Sequence, residues 1–188
     1  MAEWFEGLSQ FEAVFLVFLQ GSLSHPSLDL FFRFITDLHK NSYFLFLIAL
    51  PAFFFWFWRE RLVALRRFFG LVMTLILIDG FCGQVIKKAI ARPRPFETFP
   101  EIIQKSPASG FSFVSNHAAN MVGLAFFLSY FYPRWKIFWW GIALIVALSR
   151  MYNGVHYLSD VISGALIGLS VSWTITRWLD RREKGNKQ

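Results

Sequence analysis

Five stretches almost free of charge, residues 43–58, 68–86, 113–132, 137–148 and 161–179, constrain this chain more than any other feature. A helix needs about 20 mostly apolar residues to cross a bilayer; several runs approach that length and the shorter ones can borrow from their flanks. Asp79 interrupts the second run and Arg177 the end of the last. A weaker sixth run lies around residues 11–19. Pro26 and the amphipathic stretch SLDLFFRFITDLHK follow it and read as an interfacial segment. The pattern predicts an all-α fold, a polytopic membrane bundle of about six transmembrane helices.

Composition agrees with lipid as the main solvent. Of 188 residues, 55% are hydrophobic and 16% are charged, against about 25% charged in soluble domains. One domain over residues 1–188 is expected, with a basic tail at 180–188 and no large soluble domain beside the helices. Cys82 is the only cysteine, which excludes a disulfide framework and a cysteine metal cluster. Its place in an apolar run suits packing. The first twelve residues carry acidic side chains and no basic ones, so they read as mature protein rather than a secretory signal.

The formal charge of +7 is better explained by topology and anionic lipid than by nucleic acid. With the N-terminus cytoplasmic, eleven of the nineteen basic residues fall inside, among them Arg59, Arg61, Arg66, Arg67, Arg134, Lys136 and those of the tail. Both termini are then expected in the cytoplasm. Lys87, Lys88, Arg92, Arg94 and Lys105 break the positive-inside bias within one outer segment. Topology does not explain that cluster.

Three segments on that outer side carry most of the conspicuous polar chemistry: KKAIARPRP at 87–95, SNH at 115–117 and SRMYNGVHYLSD at 149–160. Lys87, Arg94 and Arg150 are cations at or near membrane depth, where charge is costly and usually functional. No run of carboxylates balances them; a phosphate dianion would, and the guanidinium fork suits its oxygens. Pro93 and Pro95 stiffen the backbone around Arg94. His156 and Asp160 stand four apart, one face of a helix, so the carboxylate can hold the proton on one ring nitrogen and leave the other free as nucleophile or base. His117, from another segment, is a candidate general acid.

Each residue alone has a plainer explanation. Ser115 is a natural helix N-cap, His117 an interfacial histidine, His156 with Asp160 a structural hydrogen bond and Arg94 a lipid-headgroup contact. Two histidines and an aspartate are also acceptable metal ligands, but Lys87, Arg94 and Arg150 would repel a cation. Neither metal nor other cofactor is expected. The Gly164 and Gly168 pair predicts close helix approach. Asp79 reads as a structural partner for a neighbouring helix, with a part in proton or lipid handling as the alternative.

Taken together, Lys87 to Arg94-Pro95, Ser115-x-His117, and Ser149-Arg150 through His156 to Asp160 resemble the type 2 phosphatidic acid phosphatase family over residues 40–180. The family comprises membrane lipid phosphate phosphatases and soluble vanadium haloperoxidase relatives. The resemblance implies a phosphatase core like theirs, a site on the extracytoplasmic face of the cytoplasmic membrane, and no metal. It further implies His156 as nucleophile forming a phosphohistidine, Asp160 as its orienting partner and His117 as acid for the leaving group. Lys87, Arg94, Arg150, Ser115 and the following Asn116 would hold the phosphate, with Arg92 and Lys88 auxiliary. Where the family reads Pro-Ser-Gly-His, this chain has Val114, Ser115, Asn116 and His117. Asparagine tolerates positive φ and adds an amide donor.

The implied activity is removal of a phosphate from a membrane lipid, with no obligate protein partner. Resemblance to small bacterial members favours the 1-phosphate of lipid A, then undecaprenyl diphosphate, then phosphatidylglycerol phosphate. A non-catalytic phospholipid-binding or transport protein is the alternative of a different class.

Overall fold

A computed structural model of the chain describes residues 2–38, 43, 47 and 50–185. Among the described residues the regular structure is helical, without strands. In chain order the helices are α1 (Ala2–Leu23), α2 (Pro26–Asp37), α3 (Leu50–Glu60) and α4 (Leu62–Asp79). α4 continues through a π-helical turn, Gly80–Ile86, into α5 (Lys87–Ile90). α6 (Pro95–Thr98), α7 (Asn116–Phe131), α8 (Lys136–Tyr152) and α9 (Leu158–Gly185) complete the chain. Leu62–Thr98 and Leu158–Gly185 are long and apolar enough, by length and composition, to cross a membrane. Residues 44–46, 48 and 49 of the run expected at 43–58 lie outside the described residues.

The centre of the bundle is α7 laid along α9, with α8 and α4 beside them. The Gly164 and Gly168 pair permits this. A Cβ on Gly168 would stand 2.0 Å from the carbonyl oxygen of Ala119, and one on Gly164 would stand 2.5 Å from that of Ser115. Backbone on backbone is the closest approach two helices can make, and only glycine allows it.

One end of the bundle is tied by ion pairs. Arg67 bonds Glu60 and Glu183, each at 3.0 Å, and the Tyr132 hydroxyl donates to Glu60 at 2.7 Å. These contacts join α3, α4, α7 and α9 beside the basic residues Arg59, Arg61, Arg66, Arg134 and Lys136. The three motif segments lie at the other end.

α1, the weaker sixth run of the sequence, is held by polar contacts to the motif end. Ser9 and Glu12 bond Arg92 at 2.8 and 2.7 Å. Eight residues later Gln20 donates to the carbonyls of Ile103 and Tyr152 at 2.8 and 3.0 Å. All of these partners belong to the motif end, so α1 packs against that end. The reason is polar: a carboxylate and an amide in hydrocarbon are expensive unless satisfied, and the connecting segments offer partners. Ala13 and Leu16 add apolar contact with Ile102, Ala118, Met151 and Tyr157. α2 is amphipathic as expected and packs at the same end. Its Asp29 bonds Lys105 at 2.7 Å, and Thr36 accepts from Arg150 at 2.7 Å.

Candidate active site

The site is assembled around the start of α9. Asn153 to Tyr157 form a non-helical connection in which Gly154 adopts φ +69°, a conformation that favours glycine. His156 and Asp160 therefore do not share one helix face, as their spacing suggested: His156 precedes the helix and Asp160 sits in its first turn. Asp160 Oδ2 reaches back to accept from the Tyr157 backbone N–H at 2.9 Å, capping the helix start in the manner of an acidic third residue. The same oxygen accepts from the Ser112 hydroxyl at 2.5 Å. His156 Nδ1 faces Oδ2 at 3.6 Å, within ion-pair range and beyond a hydrogen bond.

The opposite ring nitrogen of His156, Nε2, lies 3.4 Å from Arg94 Nη1. A guanidinium can only donate, so this contact suits an unprotonated Nε2 and places the ring proton on Nδ1, facing Asp160. His156 is buried, and burial pushes its pKa down to about 3, overcoming the opposing pull of Asp160. A neutral imidazole is thereby held with its lone pair toward the cations.

Arg94 is pinned by backbone. Its guanidinium donates to the carbonyls of Gly110, Val155 and Ser109 at 2.8, 2.7 and 2.9 Å. Lys87 Nζ reaches the carbonyls of Phe111 and Ser112 at 2.8 and 3.3 Å. Residues 109–112 thus line both cations. Arg150, nearly sealed from solvent, comes from the last turn of α8 and donates to Thr36. Lys88 is exposed.

Arg92 takes a different place from the auxiliary phosphate contact expected of it. One terminal nitrogen bonds Asp160 Oδ1 at 2.6 Å and the other bonds Glu12 at 2.7 Å. Its guanidinium also lies 3.8 Å over the Tyr157 ring. Glu12 in turn accepts from the Ser159 backbone N–H at 2.5 Å. Two carboxylates against one guanidinium leave a single negative charge in this buried cluster. Lys87, Arg94 and Arg150 carry the neighbourhood to two positive charges, the complement of a phosphate dianion.

Ser115 caps α7, its hydroxyl accepting from the Ala118 N–H at 3.4 Å, and it is fully buried. The Ser115 backbone N–H donates to the Asp160 carbonyl at 3.0 Å, a bond that locks the α7 start to the α9 start. His117 follows in the first turn of α7. The Asn116 side chain turns to Asp79 on α4, donating to its carboxylate at 3.1 Å. Sequence reasoning missed Glu12, Ser112 and Thr36. A lone carboxylate in the apolar run FEAVFLVFLQ was the signal available for Glu12.

Comparison with known proteins gives a consistent picture. The model of the PAP2 superfamily matches residues 68–184. A lipid A 4′-phosphatase of Porphyromonas gingivalis is 29% identical over 174 residues, covering 85% of this chain and 72% of that protein. Phosphatidylglycerophosphatase B of Bacillus subtilis is 31% identical, covering 72% of this chain and 67% of its own length. The crystal structure of Aquifex aeolicus LpxE superposes with a TM-score of 0.67 at 25% identity, over 87% of this chain and 94% of that one.

Proposed function

The chain belongs to the PAP2 superfamily, and on that premise we propose that it is a membrane lipid phosphatase acting on the phosphate of lipid A through a phosphohistidine. The observation that carries the reading is Arg94 at 3.4 Å from the Nε2 atom of a buried His156, beside two further cations. A nucleophile and a phosphate cradle on one spot suit phosphoryl transfer, where positioning and charge stabilisation supply most of the catalysis.

In this scheme Lys87, Arg94 and Arg150 hold the phosphate oxygens, exchanging backbone carbonyls for the ligand. The Nε2 lone pair forms a bond to phosphorus in line as the bond to the lipid oxygen breaks. His117 gives that oxygen its proton. Asp160 balances the charge on the phosphorylated imidazole. Water then attacks the phosphorus, losing a proton to His117, and the P–N bond breaks to release inorganic phosphate. Ser115 contributes by capping the α7 start, and the backbone that follows it is assigned a supporting part in holding the phosphate.

The substrate is proposed from names as well as residues. Resemblance to small bacterial members favours the 1-phosphate, and the Porphyromonas gingivalis relative is named for the 4′-phosphate; either is a phosphate on an acylated glucosamine. The site is proposed to face outward from the cytoplasmic membrane, with the basic end of the bundle inside. With α1 at the motif end, five spans and an N-terminus on the site's side fit better than six spans with both termini inside.

The test is phosphate release by purified protein from lipid A, undecaprenyl diphosphate and phosphatidylglycerol phosphate in mixed micelles, with mass spectrometry to locate the phosphate lost. Wild type should release phosphate from lipid A and form an acid-labile, base-stable phosphoenzyme, and His156→Ala should do neither. Release by the variant at the wild-type rate would remove His156 as nucleophile. No release from any of the three lipids would favour a binding or transport role.

A further inference from the structure

A second polar cluster, unused by the mechanism above, lies deeper in the bundle than the phosphate site. Asp79 ends α4, is exposed, and stands eight residues before Lys87, about 12 Å of helical rise. Its Oδ1 accepts from Asn116 Nδ2 at 3.1 Å and from Asn120 Nδ2 at 2.8 Å. Asn116 and Asn120 are one turn apart on α7, and the amide oxygen of each is buried without a hydrogen-bond partner. The flank is bare. A Cβ on Gly80 would meet nothing within 4 Å, and one on Gly83 would meet only the Asn116 amide nitrogen at 3.2 Å. The result is a polar notch whose upper edge, Asn116, adjoins Ser115 and His117.

What the notch offers in excess is acceptors. Each asparagine amide commits an N–H to the same carboxylate oxygen, and the two buried amide oxygens and that carboxylate's other oxygen remain to accept. Buried polar groups left in this state are costly. A second phosphate would be repelled by the carboxylate. A headgroup ammonium sits on the water side of a lipid phosphate, away from the notch. On the hydrocarbon side, the groups that donate are hydroxyls and amide N–H groups. Amino sugars carrying amide-linked hydroxyacyl chains have both, whereas polyprenyl chains and ester-linked acyl chains have neither.

We propose that Asp79, Asn116 and Asn120 form a specificity site that receives a hydroxyl or amide N–H of the lipid on the hydrocarbon side of its phosphate. The site selects acylated amino-sugar phosphates over polyprenyl diphosphates. It rests on the phosphatase reading and names the substrate class for it. It also accounts for Asn116 in place of glycine: the amide anchors Asp79 at the edge of the phosphate site.

The experiment measures kcat/KM for two lipids, a glucosamine disaccharide phosphate bearing amide-linked 3-hydroxyacyl chains and undecaprenyl diphosphate. Wild type should prefer the amino-sugar lipid. Asp79→Leu and Asn120→Leu should each lower the ratio of the two values at least tenfold, while Asp79→Asn, which keeps a hydrogen-bonding group, should retain most of it. Should Asp79→Leu fail to fold, Asn120→Leu carries the comparison. An unchanged ratio, or a parallel loss on both lipids, overturns the proposal, as does a wild type that prefers undecaprenyl diphosphate. A wild type inactive on both lipids would instead overturn the phosphatase reading itself.

Discussion

Arg92 and Asp160 meet at 2.6 Å with their side chains 3% and 0% exposed. Through its other terminal nitrogen Arg92 holds Glu12 of α1, so a residue far from the motif in sequence helps to fix the carboxylate that faces His156. The buried pair is stabilising only as a complete set, since removing one partner strands the others in a low dielectric.

Arg92→Met should therefore destabilise the protein by about 3–5 kcal/mol, the usual cost of stranding a buried charge. Thermal unfolding in detergent measures this. Glu12→Gln keeps the shape and should cost less, while lowering kcat about 10-fold or more through misplacement of Asp160, with KM little changed. Wild-type stability in Arg92→Met would mean the cluster relaxes around the loss.

The buried imidazole makes stability depend on pH. His156 has a folded pKa near 3 against about 6.5 in an unfolded chain. Below pH 6.5 the unfolded state takes up a proton that the folded state refuses, so stability falls as pH drops toward 3 and is fully present above 6.5. The melting temperature should drop roughly 5 °C or more between pH 6.5 and 4.5. His156→Gln should flatten that dependence; an equal slope in the variant would assign it to other groups.

Gly168→Ala tests the α7–α9 contact. A methyl group 2.0 Å from the Ala119 carbonyl forces the helices apart, with an expected loss of about 1–3 kcal/mol or more. Gly164→Ala presses instead on the Ser115 carbonyl, two residues before His117. It should cost proportionally more activity than stability. Comparing residual phosphate release with melting temperature in the two variants separates these effects.

Topology is open to labelling. In a Cys82→Ser background, a cysteine at Gly7 should react with a membrane-impermeant maleimide on intact cells, and one at Arg182 only after permeabilisation. Protection of the Gly7 position until permeabilisation would make the first helix a sixth span, with both termini inside.

The cations Lys87, Arg94 and Arg150 and both histidines stood out in the sequence because their chemistry is unusual at membrane depth, and Gly164 with Gly168 because small residues four apart have one common use. The role of Arg92 was not. A guanidinium two residues from Arg94 looks like a second phosphate ligand until Glu12 is brought against it, and that contact spans 80 residues of chain. The four-residue interval between His156 and Asp160 suggested a helix, whereas the turn at Gly154 brings the two together from outside one. The packing of α1 was not legible either, because its apolar letters outnumber Glu12 and Gln20, the two side chains that tie it to the motif end.

The π-helical turn between Asp79 and Lys87 acts as a change of phase. In an unbroken α-helix, residues eight apart are rotated by about 80° at 100° per residue, so Asp79 and Lys87 would look in clearly different directions. A turn wound more loosely, as a π-helix is, offsets much of that rotation. Asp79 meets α7 and Lys87 meets the segment leading into it. Deleting one residue from Gly80–Ile86 would swing the lysine off its carbonyls while leaving the aspartate where it is. In the proposed scheme the length of that turn is thus a gauge that registers the phosphate cation Lys87 and the specificity site at Asp79 along one lipid.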